Sequence, residues 1–222
     1  MELSAVERET LKSVYRLAGP EGTARPGDVA DALSISPGTI TARFKKLDER
    51  GLLEHRPYQG VSLTKQGRLA AIDAIRRHRI VERFLSDMLG YPWDQADSLA
   101  VTFEHSLPGE VVQRIYAALD RPTTCPHGFP IPEWEAGELQ ILPTLADAEP
   151  GEEIEVAMPG DTHPDVVAFL ETRGIRPGTV ITVREHHPFD GPVVVSVAGT
   201  ERVVGHKLAS EIYVANRRPA SN

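Results

Sequence analysis

A single cysteine, Cys125, in 222 residues rules out an internal disulfide and fits a reducing compartment. No stretch approaches the ~20 consecutive apolar residues of a membrane-spanning helix, and no charged-then-apolar leader opens the chain. The expectation is a soluble cytoplasmic protein with no membrane partner. Internal repeats are missing, and so is low-complexity sequence beyond a short polar C-terminal tail. The pattern His-Glu-x-x-His is missing too. A catalytic metal wants an open position and a general base in a cleft, so the chain is expected not to be an enzyme.

What is present is ordinary globular composition, 25% charged and 41% hydrophobic, at a length that allows more than one domain. The net charge of −8 is unevenly spread. Residues 1–80 carry 14 Lys/Arg against 10 Asp/Glu, and residues 81–222 carry 10 against 22. A basic first part joined to an acidic remainder suits a nucleic-acid module attached to something else.

The first part has the punctuation of a winged helix. Leu3, Val6, Leu11, Val14 and Leu17 give an amphipathic first helix ending near Gly19-Pro20. A second helix after Arg25-Pro26-Gly27 carries Val29, Ala30 and Leu33. After the Ser34-Ile35-Ser36 turn a third helix begins, with Ser36 as N-cap and Pro37 in its first turn. Ile40, Phe44 and Leu47 form its inner face, so Thr39, Thr41, Arg43, Lys45 and Lys46 point outward. Hydroxyls can bond phosphates or base edges and Arg can fork onto guanine, which makes Ser36, Pro37 and these five residues the candidate DNA-reading set. Gly51–Glu54 and Val61–Thr64, joined by the Arg56–Gly60 turn, complete a helix-turn-helix with its wing. A small helical protein-binding domain is the alternative.

Further on, the residues suit a cation. A helix over 69–90 carries His78 and Glu82 four apart, on one face. Such a pair is either a metal-ligand pair or a His–Glu hydrogen bond. Glu104 and His105 lie between the apolar Phe103 and Leu107 on the next helix, and a buried carboxylate needs a cation or solvent. The stiff loop Thr124–Pro132 presents Cys125 and His127, two side chains able to bind metal. From Glu138 onward the pattern is short β-rich runs, at 139–142, 154–158, 179–184, 193–197 and 201–204, with one helix over 164–172. Five strands and a helix suggest a small SH3-like barrel, with 146–151 as a connection.

The run His78-Arg79-Ile80-Val81-Glu82, the Phe103-Glu104-His105 cluster and Cys125-Pro126-His127-Gly128, followed by Pro130-Ile131-Pro132, resemble the diphtheria toxin repressor family of iron- and manganese-dependent regulators. The resemblance covers nearly the whole chain. It implies an α+β chain in three parts: a winged helix-turn-helix domain (1–70), a helical dimerisation and metal-binding domain (71–137) and an SH3-like β-barrel (138–222). It also implies two ligand groups. One joins Glu9 to Glu104 and His105, and the other joins His78 and Glu82 to Cys125 and His127, with Asp161 supplied by the third domain. Val101, Asp97 and Lys12 depart from the family pattern, which places ligand-type side chains there. The Cys-Pro-His-Gly loop is similar to the manganese-responsive branch, so the resemblance implies Mn2+, with Fe2+ as the alternative. The implied protein is a homodimeric repressor of metal-uptake genes on a palindromic double-stranded operator. A metal-independent winged-helix regulator sensing a small ligand is the rival.

Overall fold

The computed structural model describes residues 3–18, 22–56, 58, 60–134, 138, 140–158 and 164–219. They fall into two compact units. The first comprises Met1–His78, Glu104–Leu107 and Pro132–Leu139, and the second comprises Arg79–Phe103, Pro108–Ile131 and Gln140–Asn222.

The first unit opens with helix α1 (Ala5–Leu17). The Glu7 N–H donates to Ser4 Oγ at 3.3 Å and the Ser4 N–H donates to Glu7 Oε2 at 2.8 Å, a reciprocal cap that fixes where the helix starts. The apolar stripe expected for this helix is only half used. Leu11 and Val14 are fully buried, whereas Val6 and Leu17 are 47% and 39% exposed. Glu7, Thr10, Lys12 and Ser13 are buried in their stead. Periodicity registers apolar positions only, whereas here Glu7 and Lys12 are buried by pairing with other elements and Thr10 by donating to the Val6 carbonyl of its own helix.

Helices α2 (Pro26–Ala32) and α3 (Pro37–Glu49) form the helix-turn-helix. Ser36 caps α3 by accepting from the Thr39 N–H at 3.2 Å, and Pro37 costs nothing in the first turn, where its missing N–H would have no partner. Ile40, Phe44 and Leu47 join Leu11, Val14, Val29, Leu52 and Leu53 in one core. Strands β1 (Leu53–Arg56) and β2 (Gly60–Leu63) pair antiparallel, Leu53 with Leu63 and Arg56 with Gly60, as the wing. Gly60 has φ +118°, and a Cβ there would stand 2.2 Å from the Ala24 carbonyl oxygen. Only glycine lets the wing run this close to the chain entering α2.

Helix α4 (Lys65–Asp87) begins in the first unit and continues in the second, as does α5 (Trp93–Ser106) in the reverse sense. In the first unit Arg76 donates from Nε to the Pro132 carbonyl at 2.8 Å and lies 4.7 Å over the Trp134 ring.

The second unit contains α6 (Gly109–Ala118) and a five-stranded antiparallel sheet. Its strands are β3 (Glu152–Ala157), β4 (Val180–His186), β5 (Val193–Val197), β6 (Thr200–Val204) and β7 (Tyr213–Pro219), in the order β6-β5-β4-β3-β7. Helices α7 (Pro164–Glu171) and α8 (His206–Ala209) accompany it. Alternate residues Ile154, Val156, Ile181, Val183, Val193 and Val195 form its core, the period-2 burial of an antiparallel sheet. This is the SH3-like fold. Two expectations are corrected. The described residues 140–143 form no strand; the strand missing from the sequence reading, which assigned none after 201–204, is β7. Residues 145–147 are a short 3-10 helix that buries Leu145, so this stretch is part of the domain core and not a loose connection. Among the described residues no helix is long and apolar enough to cross a membrane.

Candidate metal centre

In the second unit the loop 124–130 is held in one shape. The Cys125 N–H donates to the Phe129 carbonyl at 2.9 Å and the Gly128 N–H to the Cys125 carbonyl at 3.0 Å. The His127 carbonyl accepts from the Met158 N–H at 3.1 Å, which ties the loop to the end of β3. Gly128 has φ +86°, and a Cβ there would stand 2.9 Å from the Ala157 Cβ, so the close approach of loop and strand depends on its being glycine. The loop carries Cys125 and His127 to Glu82 of α4. His127 Nδ1 is 3.0 Å from Glu82 Oε1 and 3.8 Å from Cys125 Sγ, and all three residues are buried. Their ligand atoms lie within 4.8 Å of one another.

Burial works against a charge on His127, yet the hydrogen bonds to Cys125 and Glu82 and the Glu82 charge outweigh it and raise its pKa to about 10. Its Nε2 is buried without a hydrogen-bond partner, and its ring meets Trp93 edge-on at 5.3 Å. The Nδ1 side of the ring is the one that faces Glu82 and Cys125, so thiol, imidazole and carboxylate meet in one buried group. The donor set therefore fits a divalent first-row metal. Asp161, expected as a further ligand, lies outside the described residues.

In the first unit α1 and the end of α5 bring together Glu9, Glu104 and His105. His105 Nε2 is 3.6 Å from Glu9 Oε1 and 3.7 Å from Glu104 Oε1. Desolvation lowers the His105 pKa against the pull of Glu104 and Glu9, which favours the neutral ring. Lys12 enters the same group. Its Nζ is 2.6 Å from Glu9 Oε1 and 2.9 Å from Glu104 Oε1. The other Glu104 oxygen, Oε2, is 2.9 Å from His78 Nδ1. Sequence reasoning grouped His78 with Glu82 and the loop; the Nδ1 side of its ring belongs with Glu104. Burial opposes ionisation of Glu104, but His78 and Lys12 together hold its carboxyl at about 2.

On α3, Ser36, Pro37, Thr39, Thr41, Lys45 and Lys46 are exposed and Arg43 is half-buried. Thr41 Oγ1 donates to the Pro37 carbonyl at 2.9 Å. Sequence reasoning missed Glu7, whose Oε1 lies 2.6 Å from Arg50 and 3.2 Å from Lys46, joining α1 to the end of α3. The position of Glu7 three residues after Ser4 announced the cap but not these partners.

A winged helix with an outward basic and hydroxyl face, on a chain that also gathers two groups of carboxylate and imidazole ligands, one of them fully buried and with a thiol, defines a metal-dependent DNA-binding regulator. The chain's likenesses agree. Residues 2–61 match the iron dependent repressor N-terminal DNA binding domain, residues 64–133 the iron dependent repressor metal binding and dimerisation domain, and residues 144–216 the FeoA domain. The iron-dependent repressor IdeR of Mycobacterium tuberculosis is 29% identical over 221 residues, covering 92% of this chain and 94% of its own. A manganese-dependent transcriptional repressor in complex with manganese superposes with a TM-score of 0.80 at 29% identity, over 94% of this chain and 98% of that one. ScaR with bound Zn2+ superposes with a TM-score of 0.79 at 30% identity, with the same coverage. The chain belongs to the diphtheria toxin repressor family of iron-dependent repressors. It is a metal-dependent, DNA-binding transcriptional repressor whose partners are DNA and a second copy of itself, and its homologues are regulators, not enzymes.

Proposed function

We propose that this protein is a manganese-responsive repressor of metal-uptake genes, governed by a divalent ion at Glu82, Cys125 and His127, with His78 and Asp161 as the further ligands. The observation that carries this reading is the buried Glu82–Cys125–His127 group, its ligand atoms within 4.8 Å of one another, with Cys125 and His127 on a loop fixed from both sides. When bound, the ion would supply the positive charge that a proton on His127 otherwise supplies. Glu9, Glu104 and His105 form the second group, which links α1 of the reading head to α5. Manganese is supported by the Cys-Pro-His-Gly loop and by the manganese-dependent repressor that superposes on the chain. Iron is the second reading, favoured by the iron-dependent relatives.

Three domains, at 1–70, 71–137 and 138–222, divide the work in this reading. Ser36, Pro37, Thr39, Thr41, Arg43, Lys45 and Lys46 face the DNA, and two copies of α3 read a palindromic operator with half-sites about 34 Å apart or a multiple of it. The protein works in the cytoplasm. The ion acts only through its greater affinity for the DNA-competent arrangement. The test is DNA affinity on the protein's own promoter region with Mn2+, Fe2+, Zn2+ or EDTA. Tight binding with Mn2+ that EDTA and Glu82→Gln each abolish is the expected result. Binding that survives EDTA and ignores Mn2+ would favour a ligand-sensing regulator.

A further inference from the structure

The cluster at Glu9, Glu104 and His105 differs from the Glu82 centre in one respect: a lysine ammonium, Lys12 Nζ, lies inside it. Lys12 follows Glu9 by three residues on α1, so both side chains rise from one face of the helix. The ammonium lies 2.6 Å from Glu9 Oε1 and 2.9 Å from Glu104 Oε1. These are the two oxygens that His105 Nε2 approaches at 3.6 and 3.7 Å. Nζ therefore bridges the two carboxylate oxygens of the ligand triad. Lys12 is 4% exposed and Glu104 is 1% exposed, so water does little to screen the charges. Glu104 Oε2 is already taken up by His78 Nδ1 at 2.9 Å.

We propose that the Lys12 ammonium is the resident cation of this cluster, joining α1 to α5 without a metal, so that each chain takes up a single divalent ion, at the Glu82 centre. A divalent ion reaching the Glu9 and Glu104 oxygens would sit beside a buried ammonium, and like charges at that range repel strongly in a poorly hydrated setting. The two carboxylates already have close partners in Lys12 and His78. The lock between α1 and α5 is thus permanent, and metal dependence resides in the loop centre. The proposal rests on the reading of the Glu82 centre as a metal site.

The test counts Mn2+ bound per chain by equilibrium dialysis, with thermal melting alongside, on the full-length wild type and on Glu82→Gln, Glu104→Gln and Lys12→Met. The proposal expects one ion in the wild type, still one in Glu104→Gln, and two in Lys12→Met. The metal-free Lys12→Met protein should melt lower than the wild type and recover on adding Mn2+, because two buried carboxylates then face each other unneutralised. Two ions in the wild type, loss of the single ion in Glu104→Gln, or a single ion in Lys12→Met would each overturn it. If Lys12→Met does not fold, the wild-type and Glu104→Gln counts still decide. Glu82→Gln tests the underlying reading separately: a count falling to zero supports the loop centre, and a count that stays at one removes that centre while the Glu104→Gln result continues to judge the Lys12 lock.

Discussion

Glu7 shows how one side chain can belong to two pieces of structure at once. It caps α1 through the Ser4 N–H, and its other oxygen meets Arg50 at 2.6 Å and Lys46 at 3.2 Å at the end of the recognition helix. Burial works against its charge, yet Arg50, Ser4 and Lys46 prevail and hold its pKa at about 2. Glu104 is likewise held at about 2 against burial, by His78 and Lys12. A carboxyl whose folded pKa is depressed contributes stability that is complete above its unfolded value near 4.5 and is lost as the pH falls toward 2. The urea midpoint should therefore drop steeply between pH 4.5 and 2, and Glu7→Gln should flatten part of that slope. An unchanged slope in the variant would contradict the pairing. At neutral pH Glu7→Ala should cost about 1–3 kcal/mol by urea unfolding, since it strips a cap and leaves two cations without their buried partner.

At the scale of elements, legibility in the sequence follows the range of the interactions. Helix α3 and the wing could be read because their signals are local: the Ser36-Pro37 start, the spacing of Ile40, Phe44 and Leu47, and a turn between two short apolar runs. Strand β7 could not, because its Arg217 and Asn216 find partners, Glu152 and Glu155, some sixty residues earlier in the chain. Paired across a sheet these polar residues are ordinary edge-strand chemistry; met alone they resemble a solvated tail. Ligand types were legible for the same reason that their partners were not. His78 and Glu82 advertise a shared helix face, but only the fold reveals that His78 Nδ1 turns to Glu104 and that Lys12 lies between the carboxylates.

Two further predictions belong to these elements. Arg43→Ala on α3 should weaken operator binding by about 1–3 kcal/mol in fluorescence anisotropy while leaving Mn2+ affinity at its wild-type value; a parallel loss of metal binding would mean that the helix had been disrupted. Gly128→Ala adds a Cβ 2.9 Å from the Ala157 Cβ at a φ of +86°. Calorimetry should show weaker Mn2+ binding, although no ligand has changed, because the loop must withdraw from β3. Wild-type affinity in that variant would show that loop placement is unimportant.

For the molecule as a whole, charge and chemistry are divided along the chain. The first 80 residues carry the basic excess and the remainder the acidic one, so attraction to phosphate is confined to the reading head. The covalent path from reading head to loop centre is α4, which carries His78 in the first unit and Glu82 in the second. One helix thus contributes to both ligand groups, and the account stands on the loop centre being where the ion is held. Anomalous diffraction at the manganese edge from crystals grown with Mn2+ tests this most directly. The account predicts a peak at coordination distance, about 2.0–2.4 Å, from Glu82, Cys125 and His127, and none between Glu9 and Glu104, where Lys12 remains. A peak at Glu9 and Glu104 with nothing beside His127 would contradict it.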